Sequence, residues 1–315
     1  MRELLTAILL TVALCYGSAQ PFRIMSYNTE NLFDTINDPL TLDDTFTPEG
    51  EHKWNSYRYW NKLQHLSEVI VNVGEWQHAA LVALVEVESD TCLRDLTLRS
   101  SLRRYGYRYI HYDSPDLRGI DVALLYDPEQ FTVIEDMVIR NDSDFASHPT
   151  RDILYVKGLM PNQDTLHLMI CHAPSQLGGK GAGHRRLKML SRIDAITDSI
   201  LTANPYAQIV VTGDFNDNPK SIAPHIKRLD NLMNQKADSL LYMPEPHVWG
   251  TYNYQEIWSI LDQIMVSESL KNKSRAYIYN AEWLIEQGKP HRTFQNTRYD
   301  NRGYSDHLPV IVDIY

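Results

Sequence analysis

Polar side chains of a restricted kind border the apolar runs of this sequence. Six runs, each predicted to be a strand, begin or end with carboxylates, carboxamides or imidazoles. A single carboxylate beside a strand is usually a solvated loop residue, so each position is uninformative when taken alone. Six together predict one shared site for a hard, charged ligand. The residues are Asn28, Glu30, Glu86, Glu88, His172, Asp214, Asn216, Asp262, Asp306 and His307.

The ligand types favour an oxygen-loving divalent cation. Carboxylates and carboxamides are typical ligands of Mg²⁺, Mn²⁺ or Ca²⁺, and Mg²⁺ keeps enough of its waters to leave room for a phosphate. A zinc site would need HExxH or paired CxxC spacing, and a serine hydrolase of the α/β type would need G-x-S-x-G. None of these motifs occurs. The segment GGKGAG (178–183) lacks Walker spacing, which favours a flexible loop over a nucleotide-binding one.

Composition limits the partners of such a site. The chain has 315 residues, of which 43% are hydrophobic and 22% charged, and its net charge is −10. This composition is ordinary for a globular protein, and the length suits one large domain or two modest ones. A general nucleic-acid binder usually carries a basic stripe. A polyanion must therefore be held here by a local cluster of cationic side chains or by bound metal.

The amino terminus has the pattern of an export signal. Residues 1–19 combine an apolar stretch with small residues before Gln20, which predicts a cleavable signal peptide. Cys15 raises a lipoprotein alternative, which the bulky residue before it disfavours. We therefore expect a secreted or periplasmic protein without a stable membrane span. Cys92 and Cys171 remain, and one disulfide between them is an open alternative.

Strand-like and helical patterns alternate from residue 22 to the end. Apolar spacing predicts amphipathic helices over 56–74 and 184–201. Many of the strands are apolar on both faces, which favours two mixed sheets packed face to face with helices outside. No repeat or change in composition marks a linker, so residues 20–315 are predicted to form one domain. The predicted strands are FRIMSYN, AALVALVEV, IDVALLYD, FTVIEDMVI, ILYVKGL, TLHLMICHA, AQIVVTG, LDQIMVS, SRAYIYNA and LPVIVDIY.

Six segments carry a resemblance to a known superfamily. SYNTENLF, ALVEVES, CHAPS, TGDFND, LDQI and YSDHLP, in that order, resemble the successive motifs of the endonuclease/exonuclease/phosphatase superfamily. GDFN and SDH in this order are the specific ones, and the likeness runs from about residue 22 to the end. The resemblance implies an α/β fold, a four-layer sandwich of two mixed β-sheets with helices outside. It also implies a metal-dependent hydrolysis of phosphoric esters.

The resemblance also implies roles for individual residues. Asn28 and Glu86 match the metal-binding asparagine and glutamate of the superfamily, and Glu30 is a candidate outer ligand. Asp306 is expected to complete a metal or water network. The metal is expected to be Mg²⁺ or Mn²⁺, with Ca²⁺ as the alternative.

The expected catalytic residues follow from the remaining motifs. Asp214 and Asn216 match the pair that positions the attacking water and steadies the charge on phosphate. His307 matches the essential histidine, and Asp262 matches the carboxylate that orients it. His172 is a candidate proton donor, with a buried structural histidine as the alternative.

Two further residues are candidates for substrate binding. Arg118 has the guanidinium geometry that clamps a phosphate, and Asp121 is placed to pair with His172. A salt bridge between a loop and a strand is the competing interpretation for both residues.

Together these features predict an exported, divalent-metal-dependent phosphodiesterase, in the first instance a nuclease. Its partner would be a phosphodiester substrate such as nucleic acid, without a protein partner, and the chain would be a monomer. One alternative is a phosphomonoesterase or a sphingomyelinase-like lipid phosphodiesterase, which the acidic net charge favours. The other, less favoured, is a non-catalytic binding protein on the same fold.

Overall fold

A computed structural model describes residues 20–74, 77–141, 149–176, 179–234, 250–295 and 298–315. The predicted signal peptide lies outside these ranges. Among the helices of the described residues, none is both long enough and apolar enough to cross a bilayer.

The strands alternate with helices in the order that the sequence predicted, with several short strands added. The helices are α1 Ser56–Val73, α2 Asp90–Leu98, α3 Gly179–Ala203, α4 Pro219–Ile222 and α5 Glu268–Lys271. The strands are β1 Phe22–Leu32, β2 Leu81–Val87, β3 Arg108–His111, β4 Asp121–Tyr126, β5 Thr132–Ile139, β6 Ile153–Leu159, β7 Thr165–His172, β8 Gln208–Asp214, β9 Leu229–Asn231, β10 Tyr252–Tyr254, β11 Ile257–Ser259, β12 Asp262–Ser267, β13 Ser274–Ile278, β14 Ile285–Glu286, β15 Lys289–Pro290, β16 Phe294–Gln295, β17 Arg298–Tyr299 and β18 Val310–Ile314.

Two mixed sheets form the body of the molecule. The first has the strand order β13-β18-β1-β2-β4-β3, and the second has the order β5-β6-β7-β8-β12-β9. Strands β1 and β2 run parallel in the first sheet, as do β7 and β8 in the second, and the other pairs in both sheets are antiparallel. Short hairpins of β10 with β11, β14 with β15 and β16 with β17 accompany them.

Three apolar layers hold the sheets and helices together. Ile24 and Val85 of the first sheet pack with Leu168 and Val210 of the second in a core between the sheets. This arrangement explains why the strands are apolar on both faces, since the outer face of each sheet also packs against a helix. The four-layer α/β sandwich is therefore confirmed.

The outer layers each bury one cysteine. Helix α1 packs on the first sheet in a core that includes Cys92, and α3 packs on the second sheet in a core that includes Cys171. Both thiols are free, and the body of the protein separates them. The disulfide alternative is wrong because the two sulfurs lie in different layers.

Helix α3 begins earlier than its apolar spacing indicated. The sequence placed its start at His184 and favoured a flexible loop over 178–183, but the helix begins at Gly179. The loop prediction is wrong over the described part of that segment. Glycine lowers helix propensity without preventing a helix, and the buried Met189 and Leu190 attach α3 to the second sheet.

Candidate active site

Strand register places three of the candidate side chains beside one another. In the second sheet, His172 at the end of β7 pairs with Asp214 of the parallel strand β8. Asp214 in turn pairs with Asp262, which begins the antiparallel strand β12. One edge of the sheet therefore carries an imidazole and two carboxylates on three adjacent strands.

The first sheet reaches the same place through irregular backbone. The register of β1 and β2 shifts after Asn28, and that of β2 and β4 shifts around Glu86. Glu30, Asn31 and Glu86 have positive φ angles of 52°, 58° and 65°. Such conformations cost on the order of 1 kcal/mol each for residues other than glycine and occur mostly at functional sites. The bulge turns the Glu86 carboxylate toward the second sheet, where its Oε1 lies 3.8 Å from His172 Nε2.

The turn after β8 is fixed by backbone geometry and hydrogen bonds. Gly213 has φ 136°, and a Cβ at this position would lie 1.9 Å from the carbonyl oxygen of Cys171, so only glycine fits. Asn216, at φ 49°, donates its backbone N–H to Asp214 Oδ1 at 2.8 Å and its side-chain amide to the Ala173 carbonyl at 3.0 Å. The segment is thus a rigid turn that aims Asp214.

Asp214 is the centre of the polar cluster. Its Oδ2 accepts a hydrogen bond from Asn28 Nδ2 at 3.2 Å and lies 3.7 Å from His172 Nε2 and 3.9 Å from His307 Nε2. Burial and the nearby charge of Asp262 raise the pKa of Asp214 to about 7, because together they outweigh the lowering effect of His307.

His307 and Asp262 form a tight pair. His307 Nδ1 lies 2.7 Å from Asp262 Oδ2, which points the other ring nitrogen toward Asp214. Tyr252 packs against the imidazole with ring centroids 4.8 Å apart. Burial lowers the pKa of His307, but the carboxylates of Asp262, Asp306 and Asp214 outweigh burial and raise the pKa well above the usual histidine value. The ring is therefore held as an imidazolium in this arrangement.

Glu30 serves the neighbouring loop. Its carboxylate accepts the backbone N–H of Thr293 at 2.5 Å and lies 3.6 Å from the Arg292 guanidinium. Arg292 also bonds Asp306 Oδ2 at 2.7 Å, and Lys62 Nζ lies 4.0 Å from Glu30. Burial and the charge of Asp306 raise the pKa of Glu30 to about 7 against the opposing effects of Lys62 and Arg292. The predicted outer ligand thus orders the loop that presents Asp306.

The predicted pair of Asp121 with His172 is not formed. Asp121 lies 3.2 Å from His111 Nε2 and accepts the backbone N–H of Ser114 at 2.9 Å. Strand β4 has its neighbours β2 and β3 in the first sheet, and this position points Asp121 toward β3.

His172 is buried among cationic groups instead. Burial lowers its pKa well below the usual histidine value, and the guanidinium groups of Arg151 and Arg118 act in the same direction. Its Nδ1 is buried and has no hydrogen-bond partner among the described residues. His172 is therefore a neutral imidazole in this arrangement.

A cleft of about 390 Å³ opens over this cluster. Arg118 borders it with a half-exposed side chain, hydrogen-bonds Asn31 Oδ1, and lies 4.0 Å from Glu86 Oε2. Of the predicted site residues, the cleft is lined by Glu86, Arg118, His172, Asp214, Asn216, Asp306 and His307.

Arg151 also lines the cleft, although it was not among the residues predicted from the sequence. Its guanidinium is buried, lies 3.0 Å from Asp116 Oδ2, and donates to the Ala173 carbonyl at 3.0 Å. The available signal was a basic residue two positions before the buried strand β6, followed by Asp152. Only the fold brings that position to the cleft, because the register of β6 with β7 places it beside the end of β7.

The donor atoms suit a hard divalent cation. Asp214, Asp262 and His307 have ligand atoms within 4.8 Å of one another, but Asp262 is engaged by His307. Glu86 Oε1 and Asp214 Oδ2 both lie within 4 Å of His172 Nε2. His172 and Asp262 are on the two strands that flank the strand of Asp214. Buried carboxylates close to one another are stabilised by a positive ion. The oxygen-rich pocket between Glu86 and Asp214 fits such an ion.

The fold and cluster together define a two-sheet sandwich with a polar site across the strand ends. A family model described as the Endonuclease/Exonuclease/phosphatase family matches residues 23–315. The chain belongs to this family, whose members are generally phosphoesterases that use divalent metals.

Solved structures share the fold at low sequence identity. A truncated TDP2 from Caenorhabditis elegans has a TM-score of 0.61 and 15% identity, with 93% of this chain and 97% of that chain covered. A TDP2 from D. rerio in complex with a single-strand DNA product has a TM-score of 0.56 and 15% identity, with 94% of this chain and 100% of that chain covered. A mannosyl-6-phosphatase from Bacteroides thetaiotaomicron has a TM-score of 0.54 and 16% identity, with 93% of this chain and 99% of that chain covered. No curated protein matches the chain.

Proposed function

We propose that this protein is a divalent-metal-dependent phosphodiesterase that hydrolyses nucleic acid by in-line attack of an activated water. The observation that carries the proposal is the convergence in one cleft of Glu86, Asp214 and the His307–Asp262 pair, with Arg118 at its border. In this set, Glu86 supplies a metal-binding carboxylate and Asp214 can accept a proton from the attacking water. The His307 imidazolium and the Arg118 guanidinium can stabilise negative charge on the phosphate.

Glu86 would hold the metal, with Asn28 and Asp214 beside it. Their oxygen donors favour Mg²⁺ or Mn²⁺, and Ca²⁺ is the alternative. When bound, the ion neutralises charge on the phosphate and on the leaving oxygen. The amide of Asn28 already donates to Asp214 Oδ2, so this asparagine keeps the carboxylate in one orientation.

Proton transfer is assigned to the Asp214–His307 side of the cleft. Asp214 is buried and close to His307 Nε2, so in its ionised form it can accept the proton of the attacking water. The His307 imidazolium, held by Asp262, stabilises negative charge developing on the phosphate. Asn216 fixes the position of Asp214 through its backbone N–H and also lines the cleft.

His172 is better suited to orientation than to acid catalysis. Its lowered pKa leaves a neutral ring, which can donate one hydrogen bond but is a poor proton donor near neutral pH. We assign it to holding a phosphate oxygen beside Glu86 and Arg118.

Aromatic side chains beside the cluster support a nucleic acid substrate. Tyr252 and Tyr254 line the cleft, and Tyr254 is 54% exposed, so its ring face is open to a base. The solved TDP2 that contains single-strand DNA has the same fold. A phosphomonoesterase is the second candidate, because the mannosyl-6-phosphatase also shares this fold.

A substrate panel with and without EDTA tests the proposal. We expect the wild-type protein to hydrolyse bis(p-nitrophenyl) phosphate and oligonucleotides, to lose this activity in EDTA, and to regain it with Mg²⁺ or Mn²⁺. His307→Asn should lose activity by on the order of 10³-fold. His225→Asn, which changes a histidine in the short turn Ala223–His225 outside the cleft lining, is the matched control. Hydrolysis of monoesters alone would move the assignment to a phosphomonoesterase, and EDTA-resistant activity would contradict the metal site.

We also propose that the chain is exported and acts as a monomer. The apolar amino-terminal segment before Gln20 is the basis for export. Expression of the full chain in a bacterium followed by fractionation and amino-terminal sequencing tests this, and a mature end at Gln20 is expected. A full chain that stays in the cytoplasm with residues 1–19 uncleaved would contradict export. Sedimentation of the mature protein tests whether it is a monomer.

A further inference from the structure

Two further clefts extend from the active-site cleft along the hairpins near the carboxyl terminus. The first has a volume of about 300 Å³ and is lined in part by Asp306, which also lines the active-site cleft. The second, of about 350 Å³, shares Glu286, Gln287 and Gln295 with the first. We call these two adjoining clefts the hairpin trough.

The walls of the hairpin trough are built from tight turns. Strands β14 and β15 are joined by Gln287 and Gly288 at φ 51° and 75°, the two positive angles that a two-residue hairpin turn needs. Arg302 bridges this hairpin to the next segment, with its Nη2 3.0 Å from Glu286 and 3.2 Å from Asp300. The lining is therefore held in place before any ligand binds, which lowers the entropy cost of binding.

Polar atoms in the first cleft lack partners. Asn253 Oδ1 and Arg292 Nε are buried and make no hydrogen bond among the described residues, and the nearest carboxylate to Arg292 Nε, Glu30 Oε1, lies 3.6 Å away. Buried polar atoms are nearly always hydrogen-bonded in folded proteins. Both residues line the hairpin trough where it meets the active-site cleft.

The far cleft offers an unengaged cation. Arg298 is exposed, lines this cleft, and forms no ion pair within the described part of the chain. Amide side chains border the same space, with Gln295 shared by both clefts and Asn301 in the second. Amides bind hydroxyls and base edges, and a guanidinium binds phosphate. These groups match the hydroxyls and phosphates of a sugar–phosphate chain.

We propose that the hairpin trough binds the sugar–phosphate chain of a single-stranded nucleic acid on one side of the scissile bond. The inference rests on the proposed function, since the trough begins at Asp306 in the active-site cleft. The lining also contains the carboxylates of Glu286 and Asp300, and the net charge of the protein is −10. The hairpin trough is therefore not a strongly basic surface. A duplex, with its dense charge, needs a broader basic surface. Each cleft is large enough for one nucleotide unit.

Length dependence of hydrolysis tests the proposal. The substrates are single-stranded oligonucleotides from a dinucleotide to a decamer, the same decamer as a duplex, a phosphorylated oligosaccharide, and bis(p-nitrophenyl) phosphate. The variants are Arg298→Ala and, as matched control, Arg275→Ala, an exposed arginine on the edge strand β13 of the first sheet.

We expect kcat/KM to rise with oligonucleotide length until the hairpin trough is filled. Arg298→Ala should remove about tenfold of this gain, lower the salt dependence of decamer binding by about one charge, and leave the aryl diester unaffected. Arg275→Ala should behave as wild type on all substrates.

Several results would overturn the proposal without touching the proposed function. They are a kcat/KM independent of length while the aryl diester is hydrolysed, equal effects of Arg298→Ala and Arg275→Ala, and preference for the duplex or for the phosphorylated oligosaccharide. Failure of the wild-type protein to hydrolyse any diester would instead reject the proposed function itself.

Discussion

Glu86 and Glu88 lie two residues apart after the same strand, and the structure gives them opposite surroundings. Glu86 faces the cleft, with His172 and Arg118 within about 4 Å of its carboxylate oxygens. Glu88 turns into the loop after β1, where its Oε2 accepts the backbone N–H of Asp34 at 2.5 Å and lies 3.9 Å from the thiol of Cys92. Within the described ranges, Glu88 makes no ion pair.

The contrast shows that a carboxylate at a strand end becomes a site only where cationic or metal-binding groups face it. Burial raises the pKa of Glu88 to about 8, and the neighbouring Asp34 and Asp43 add to this, so Glu88 is a neutral acid over much of the pH range. Glu86 has basic neighbours. The backbone bulge at Glu86 is what separates the two, because it rotates one carboxylate out of the alternation of the strand.

Exchange of each glutamate for glutamine gives the largest expected difference. Glu86→Gln should reduce kcat for the aryl diester by on the order of 10³-fold, because it removes a charged ligand from the metal site. Glu88→Gln should leave kcat within about twofold, since it replaces one neutral hydrogen-bonding group with another. Steady-state kinetics with Mg²⁺ and metal binding by calorimetry check both. Equal loss in the two variants would remove the distinction between the two surroundings.

Loss of charge at the buried orienting carboxylate gives the next largest effect. Asp262→Asn keeps a hydrogen bond to His307 Nδ1 but no longer favours the imidazolium, so the pKa of His307 should fall. We expect kcat to decrease by on the order of 10²-fold while KM changes little. Titration of the imidazole by NMR with the kcat measurement checks this. An unchanged His307 pKa together with full activity would contradict the assigned role of Asp262.

Asp306 is held by the guanidinium of Arg292. Because Arg292 acts only by positioning Asp306, its replacement should reduce kcat less than the two changes above. Arg292→Gln should free Asp306 and leave Glu30 with Lys62 as its remaining cation. A decrease of about tenfold in kcat is expected, because misplacement of a cleft residue costs less than removal of a ligand. Lys289→Gln, on the same segment but paired with Glu256, is the control. A larger loss from the control than from Arg292→Gln would contradict the positioning role.

The sequence predicted ten of the twelve strands of the two sheets, both long helices, the layering and the residue types at the strand ends. These features depend on local periodicity and on what a buried strand requires. Residue types at the strand ends did not separate Glu86 from Glu88, which only the superfamily resemblance did. The sequence did not place Arg151 at the cleft, and it paired Asp121 with His172 when the partner is His111. Each of these depends on sheet order and on bulges, which long-range pairing decides. The short hairpins of 252–299 were also missed because strands of two or three residues carry little pattern.

The stability of Glu88→Gln gives the smallest effect and tests directly whether Glu88 lacks a compensating cation. The carboxyl has a pKa near 8 when folded and an ordinary value of 4.5 when unfolded. As the pH rises from 4.5 to 8, the unfolded chain releases this proton while the folded chain retains it, so the native state loses stability across that window. Glutamine has no proton to release. The variant should therefore match wild type near pH 4.5 and melt about 2–5 °C higher at pH 8, measured by thermal unfolding at both values. A difference of the same size at both pH values would show that packing, and not ionisation, distinguishes Glu88 from Glu86.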